Sequence, residues 1–203
     1  AALDLDGFFG LHLALSPIQT MFAEGSLALV HAFGNPSDSH SHFSSQDYME
    51  RGRDGQTSDA TGWLGRHLAA GASGNASLFR AVAVGRAVQK SMIGGPPPLG
   101  IESVAAFRLD VRRADPARIR TALLELYDRA GALDDTGRQV FAAMDALAAI
   151  PPENDAPGYP ASDFGDGLKT VAQLIKADLG VEVASVDSGG WDHHANLAAD
   201  LAA

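Results

Sequence analysis

Apolar residues along the chain fall into two kinds of run. Largely apolar stretches occur at residues 27–33, 78–84 and 181–186, the first of them nearly continuous and the last rich in β-branched residues. Their length suits strands buried on both faces of a parallel sheet. Between them, apolar residues recur at helical spacing. Leu11, Leu15, Ile18 and Phe22 form one stripe, interrupted midway by Pro17. Residues 43–51 read as a short helix with Ser41 as its cap, and residues 59–70 as a helix stopped by Gly71. Asp115-Pro116 marks a helix start, a capping carboxylate followed by proline at the first helical position. The buried stripe predicted for that helix is Ile119, Leu123, Leu126 and Tyr127. Residues 140–150 predict another helix, ended by Pro151. Residues 163–179 carry the clearest helical signal, with Leu168, Val171, Ala172 and Ile175 on the apolar face and Gly180 at the end. Residues 85–100 read as irregular.

Helices alternating with short apolar runs predict an α/β fold: a three-layer αβα domain with a mainly parallel sheet, spanning residues 1–203. Ligands of such sheets bind beyond the carboxyl ends of the strands. Two loops are expected there, residues 34–42 after the first run and 187–194 after the last.

The formal net charge of −10 disfavours nucleic acid as a partner. The arginines at 108, 112, 113, 118 and 120 are interspersed with acidic residues and read as a solvated face. No apolar run reaches the roughly 18–20 residues of a membrane span. Cysteine is absent, which excludes disulfides, thiolate metal sites and cysteine nucleophiles. No basic-then-apolar leader stands at the first residues.

Two segments carry candidate chemistry. The first is Asp38-Ser39-His40-Ser41-His42. A serine at a helix start sits where backbone N–H groups and the helix dipole attract an anion, which suits a nucleophile. It is equally the ordinary N-cap, and spacing alone favours the cap. The second is Asp187-Ser188-Gly189-Gly190-Trp191-Asp192-His193-His194. Its carboxylates and imidazoles form a mixed donor set for a zinc-like or manganese-like ion. It reads as readily as a glycine turn with a capping Asp192. Asp4-Leu5-Asp6-Gly7 has the opening of a calcium loop without the rest of that motif. His12, His31 and His67 read as structural or surface residues, His12 the most open of the three.

Five blocks together resemble a known family. These are Phe9-Gly10-Leu11-His12 with Leu15-Ser16-Pro17; Leu27-Ala28-Leu29-Val30-His31-Ala32; Ser41-His42-Phe43 with Gln46-Asp47-Tyr48-Met49-Glu50; Gly62-Trp63-Leu64-Gly65-Arg66; and Gly189-Gly190-Trp191-Asp192-His193-His194-Ala195-Asn196. The chain resembles the domain-of-unknown-function 1501 family, which is similar in fold to alkaline phosphatases and sulfatases. The resemblance implies an exported or periplasmic bacterial protein and a metal-dependent hydrolase of phosphate or sulfate esters. It implies Ser41 as nucleophile, with Ser39 as the nearby fallback and His42 beside it. Asp192 and His194 are implied as metal ligands, with Asp187 as a third and His193 as the alternative imidazole. The cofactor is then a divalent ion such as zinc, calcium or manganese, and the partner a small anionic ester.

The sequence departs from the family pattern at His40, where the family has arginine, and at His193, where it has threonine. The family's opening strand with its Arg-Gly-Gly-x-Asp-Gly turn, and its closing Thr-Asp-His-Gly segment, have no counterpart in these residues. The expectation is an incomplete domain, finished by segments or a partner chain not in this sequence and inactive alone. A non-catalytic binding or assembly protein on the same scaffold is the alternative, since a fold does not dictate function. A metal-free serine esterase is a weaker third reading, because no Gly-x-Ser-x-Gly elbow is present.

Overall fold

The computed structural model describes residues 2–53, 60–71, 74–111, 115–127, 134–151, 158–191 and 195. They gather into two compact units, Ala1–Ser39 and His40–Ala203.

The first unit opens with a hairpin of β1 (Ala2–Asp4) and β2 (Gly10–His12), antiparallel, with Leu3 opposite Leu11. The turn between them explains the acidic residues there. Asp4 Oδ1 accepts from the Gly7 N–H at 2.9 Å, and Asp6 Oδ1 accepts from Phe9 N at 2.7 Å and Phe8 N at 3.0 Å. The backbone donors of Phe9 and then Phe8 hold the Asp6 carboxyl below the usual range. These carboxylates serve the turn's own N–H groups, as Asx residues do, in place of the calcium loop they suggested. A 3₁₀ turn, Leu13–Leu15, follows; His12 Nδ1 accepts from Ala14 N at 3.2 Å and caps it. Helix α1 (Ser16–Ala23) then begins, with Pro17 in its first turn. The proline thus opens the helix where no N–H is needed, and does not interrupt a longer one.

Residues 27–33, expected as a strand, form none. Leu27 N is tied back to Met21 O at 3.1 Å, and Ala32 takes a left-handed φ of 52°. Val30 is 77% exposed and Phe33 74%. His31 stacks on Phe9 with ring centroids 3.5 Å apart. An apolar, β-prone run becomes a strand only where a neighbour supplies the ladder and a surface to cover. Among the described residues this run pairs with none.

The second unit is mixed α/β around a parallel sheet of three strands in the order β4-β3-β5. These are β3 (Ala81–Val84), β4 (Leu99–Ile101) and β5 (Val183–Val186). The apolar runs at 78–84 and 181–186 supply β3 and β5. Strand β4 lies in the stretch read as irregular; its three residues are too few to show a period.

Alternation along β3 divides the core. Val82 and Val84, with Phe79 and Ile101, pack against Ala143 and Leu147 of α5 (Asp134–Ala148) and Leu174 of α6 (Asp163–Lys176). Ala81 and Ala83 pack against Leu68 of α3 (Trp63–Ala70) and against Met92. Helices therefore cover both faces. Helix α4 (Pro116–Tyr127) is capped by Asp115, whose Oδ1 accepts from Ala117 N at 3.0 Å, and Arg120 joins it to Asp145 of α5 at 2.6 Å. In α4's predicted stripe, Leu126 is exposed while Ile119, Leu123 and Tyr127 are half-buried.

Of the apolar face its sequence suggests for helix α6, Val171 packs against the core while Leu168 and Ile175 do not, so the buried face is turned from the predicted one. Gly165, Gly167, Thr170 and Leu174 are buried, whereas Leu168 is 38% and Ile175 61% exposed. The small residues decide this. A Cβ at Gly167 would lie 2.5 Å from Val186 Cγ1, so glycine lets the helix sit close on β5.

Helix α2 (His42–Arg51) and α3 are fastened to the 3₁₀ turn Lys90–Met92 that follows β3. Lys90 Nζ meets Asp47 Oδ1 at 2.7 Å, and Ser91 N donates to Glu50 Oε2 at 3.1 Å. Arg66 Nη2 donates to Arg51 O at 2.6 Å and Nη1 to Thr61 O at 2.8 Å. A side chain at Gly65 would collide with the carbonyl of Ile93, and one at Gly62 with that of Lys90. The blocks Gln46–Glu50 and Gly62–Arg66, quoted above for resemblance, thus act here as the joint between these elements.

Candidate functional site

The three strands end level, with Val84 of β3 beside Ile101 of β4 and Val186 of β5. The chain leaving them lines a cleft of about 1130 Å³: Gly85 to Ala87 after β3, Glu102 to Ala105 after β4, and Asp187 after β5. The walls include α5 at Leu147 and Ala148 and the first turns of α6 at Asp163, Asp166 and Thr170. This is the carboxyl edge of a parallel sheet, where α/β proteins take their ligands. The cleft is large enough for a small molecule and mixes apolar walls with charge. Arg86, Arg108, Arg120 and Lys169 contribute cations, and Glu102, Asp145, Asp163, Asp166 and Asp187 carboxylates. Arg120 and Asp145 are engaged with one another. Their hydrogen bond lowers the Asp145 pKa and raises that of Arg120.

Asp187 is the predicted site residue that the structure places in this cleft. It is exposed, and its Oδ2 accepts from Gln89 Nε2 at 2.8 Å. Gln89 precedes the 3₁₀ turn after β3, and its carbonyl accepts from Met92 N at 3.1 Å. An amide must turn its N–H, not its oxygen, to a carboxylate. That leaves Gln89 Oε1 facing inward, buried and without a hydrogen-bond partner among the described residues. After Asp187 the turn is closed by Trp191 Nε1 donating to Ser188 Oγ at 3.3 Å, with Gly190 at a φ of 86°. Asp192, His193 and His194 lie outside the described residues.

The serine block has a different setting. Ser41 is the N-cap of α2, and its Oγ accepts from Ser44 N at 3.4 Å. The run at 27–33, which was to carry this loop to the sheet edge, is not a strand; α2 itself positions Ser41. His42 is the first residue of α2 and is exposed. Ser39 belongs to the first unit, where its N–H donates to Ser37 Oγ at 3.1 Å. Within the second unit, neither Ser41 nor His42 lines the cleft.

Among the described residues, no three His, Asp or Glu side chains converge as a metal site. Of the donors assigned to a metal, Asp187 is therefore the one whose chemistry can be judged. It is an exposed carboxylate with one oxygen oriented by an amide, as metal-ligating carboxylates commonly are.

Sequence reasoning missed Gln89, Arg86 and Glu102. None belongs to a motif; each follows the end of a parallel strand, and β4 itself was not foreseen. Among the described residues no helix is long and apolar enough to cross a membrane. Comparison of the chain with protein-family models, with curated proteins and with solved structures finds no match in any of the three.

Proposed function

We propose that this chain belongs to a metal-dependent hydrolase of phosphate or sulfate esters that works at the carboxyl edge of its parallel sheet. The observation that carries the reading is Asp187, the first residue after β5, opening onto the cleft with its carboxylate held by Gln89. A carboxylate at that point of a parallel sheet suits a ligand or ion site better than a structural one. The resemblance of Ser41-His42-Phe43 and of the glycine-tryptophan block to an alkaline-phosphatase-like family supports the same chemistry.

In this reading Asp187, Asp192 and His194, with His193 as the alternative, would hold a divalent ion, which would supply positive charge against the ester's non-bridging oxygens. The Ser41 hydroxyl, with Ser39 as fallback, attacks phosphorus or sulfur in line. The ester bond breaks opposite it, the alcohol leaves with a proton, and water then cleaves the phospho- or sulfo-serine, releasing the acid and restoring the Ser41 hydroxyl. The start of α2 favours an incoming anion through its backbone N–H groups, and His42, the next residue in the chain, would exchange the proton of the hydroxyl. Export to an extracytoplasmic space follows from the resemblance and belongs to the same proposal.

The test is to express the full reading frame containing these residues, measure bound divalent metal, and assay generic phosphate and sulfate esters. Turnover that disappears with a chelator and in Asp187→Ala is the expected result. Equal turnover in metal-free protein, or none toward either ester class, overturns the proposal.

A second reading has its own observation. Ser41 Oγ accepts the bond of an ordinary helix cap, which favours a non-catalytic binding protein on the same scaffold. In that case the cleft binds a small ligand that emerges unchanged.

A further inference from the structure

The cleft at the carboxyl edge opens where two strand connections part. After β3 the chain turns to the face of Ala81 and Ala83, where Met92 packs beside Leu68. After β4 it turns to the opposite face, where Val104 and Phe107 pack against the cluster of Val82, Val84 and Leu147. Neighbouring parallel strands whose connections diverge in this way leave a crevice above their ends, the switch point at which open α/β sheets take ligands. Gly85 N donates to Ile101 O at 2.9 Å, so the two strand ends stay together while the loops separate. One wall of the crevice is apolar, built by Val104, Phe107, Met144, Leu147 and Ile150. Its cations are Arg86 after β3, Arg108 after β4, Lys169 on α6 and Arg120, the last committed to Asp145. The side chains of Arg86, Arg108 and Lys169 form no hydrogen bond or ion pair among the described residues. Arg86 and Lys169 also start from neighbouring points. Val84 and Val186 are register partners, and a Cβ at Gly167 would lie 2.5 Å from Val186. Arg86 follows Val84, and Lys169 follows Gly167, at the same short spacing. The carboxylates of the cleft are placed differently. Asp187 receives the Gln89 amide, and Asp163 and Asp166 stand in the first turn of α6, where the positive end of the helix offsets them. Glu102 is left without such an offset.

We propose that this crevice binds a small organic anion, a phosphate-like dianion carried on an apolar body about the size of one ring. The anionic group is taken by Arg86 and Lys169, with Arg108 at the rim, and the body lies along Phe107, Met144 and Ile150. A chain of net charge −10 repels anions at long range, so capture depends on cations gathered locally. A guanidinium beside an ammonium suits a dianion, which accepts several charge-assisted hydrogen bonds at once. The apolar wall adds affinity that an inorganic anion cannot gain, and a few polar groups in an apolar cleft are the usual make-up of a small-molecule site. The proposal goes beyond the hydrolase reading, because it requires neither a bound ion nor the Ser41 hydroxyl.

The test uses the full reading frame in EDTA, with binding followed by calorimetry. Benzylphosphonate is the probe, because its P–C bond resists hydrolysis. Phenylmethanesulfonate and phenylacetate carry other anions on the same body, benzyl alcohol keeps the body without charge, and inorganic phosphate keeps the charge without the body. Benzylphosphonate should bind most tightly of the five. Arg86→Gln and Lys169→Gln should each weaken it about tenfold, as expected for one lost charge-assisted hydrogen bond. Ala148→Glu, at an exposed position of α5 on the cleft wall, places a carboxylate against the ligand and should abolish binding. Substitutions at exposed Arg86 and Ala148 leave the core untouched, so their results do not depend on half-buried Lys169. Absence of benzylphosphonate binding overturns the proposal, as does binding no tighter than that of inorganic phosphate or benzyl alcohol. Unchanged affinity in Arg86→Gln and Ala148→Glu places the ligand elsewhere and also overturns it. Tightest binding of the sulfonate or the carboxylate overturns the assignment of a phosphate-like group. The hydrolase reading is separable: metal-dependent ester turnover without benzylphosphonate binding removes this proposal alone, and binding without turnover removes the hydrolase alone.

Discussion

Lys90 Nζ lies 2.7 Å from Asp47 Oδ1, while Arg51 Nε, one turn along α2, approaches Asp47 Oδ2 at the same distance. The carboxylate thus joins the helix capped by Ser41 to the turn that begins at Gln89. Lys90 first and Arg51 second hold the Asp47 carboxyl below its ordinary range. A depressed carboxyl contributes stability that is fully present above the ordinary aspartate value and lost as pH falls through the folded one. Asp47→Asn should therefore be less stable than wild type at neutral pH, by about 0.5–1 kcal/mol given the exposure of Lys90. The difference should begin to narrow below about pH 4 and close only as pH falls through the depressed folded value, where the wild-type carboxyl takes up its proton. Urea unfolding of both proteins between acid and neutral pH measures this; a gap that persists undiminished in acid would show that the pair does not act through charge.

The two faces of α6 can be told apart by truncation. Leu174 is fully buried and Leu168 is 38% exposed. Leu174→Ala should cost about 2–5 kcal/mol, within the range for emptied core sites. Leu168→Ala should cost no more than about 1 kcal/mol, because less of its surface leaves water on folding. Denaturant midpoints for the two variants decide the matter, and equal losses would mean that the helix is rotated from the orientation described.

Ser41 can be separated into its two possible roles by the choice of substitution. As a cap, Ser41→Ala should cost about 1 kcal/mol and Ser41→Gly only a few tenths, because glycine is itself tolerated at the N-cap. As a nucleophile, Ser41 loses its hydroxyl equally in both. Ester turnover abolished in Ser41→Gly, with a melting temperature near wild type, is the outcome expected of the hydrolase. Turnover unchanged in that variant assigns Ser41 to capping alone.

Local signals identified much of this chain because their physics is local. Ser41 and Asp115 cap helices with their own side chains, Pro116 opens one and Gly71 ends one. The apolar run at β3 reflects burial on two faces, which leaves no polar alternation to find, while the β5 run was marked by its β-branched residues. Asp187 was recognisable as the residue that ends such a run.

Other features depended on neighbours distant in sequence. Residues 27–33 have the composition of a strand, yet hydrogen-bonded pairing is a property of two segments, and this one has no described partner. The buried face of α6 was set by the close approach that Gly165 and Gly167 permit together with Leu174, while Leu168 and Ile175 were left exposed. Gln89 carries no sequence signature, since its importance arises only when the turn after β3 comes beside the end of β5, 98 residues away. Local signals marked the capped helix starts at Ser41 and Asp115 and the runs able to enter a sheet, because caps and turns act over a few residues; they missed the start of α5 at Asp134, expected at 140, and the end of α6 at Lys176, expected at 179. The tertiary structure alone decided which runs paired, which helix face was buried and which amide met Asp187, because those energies exist only between surfaces that folding brings together.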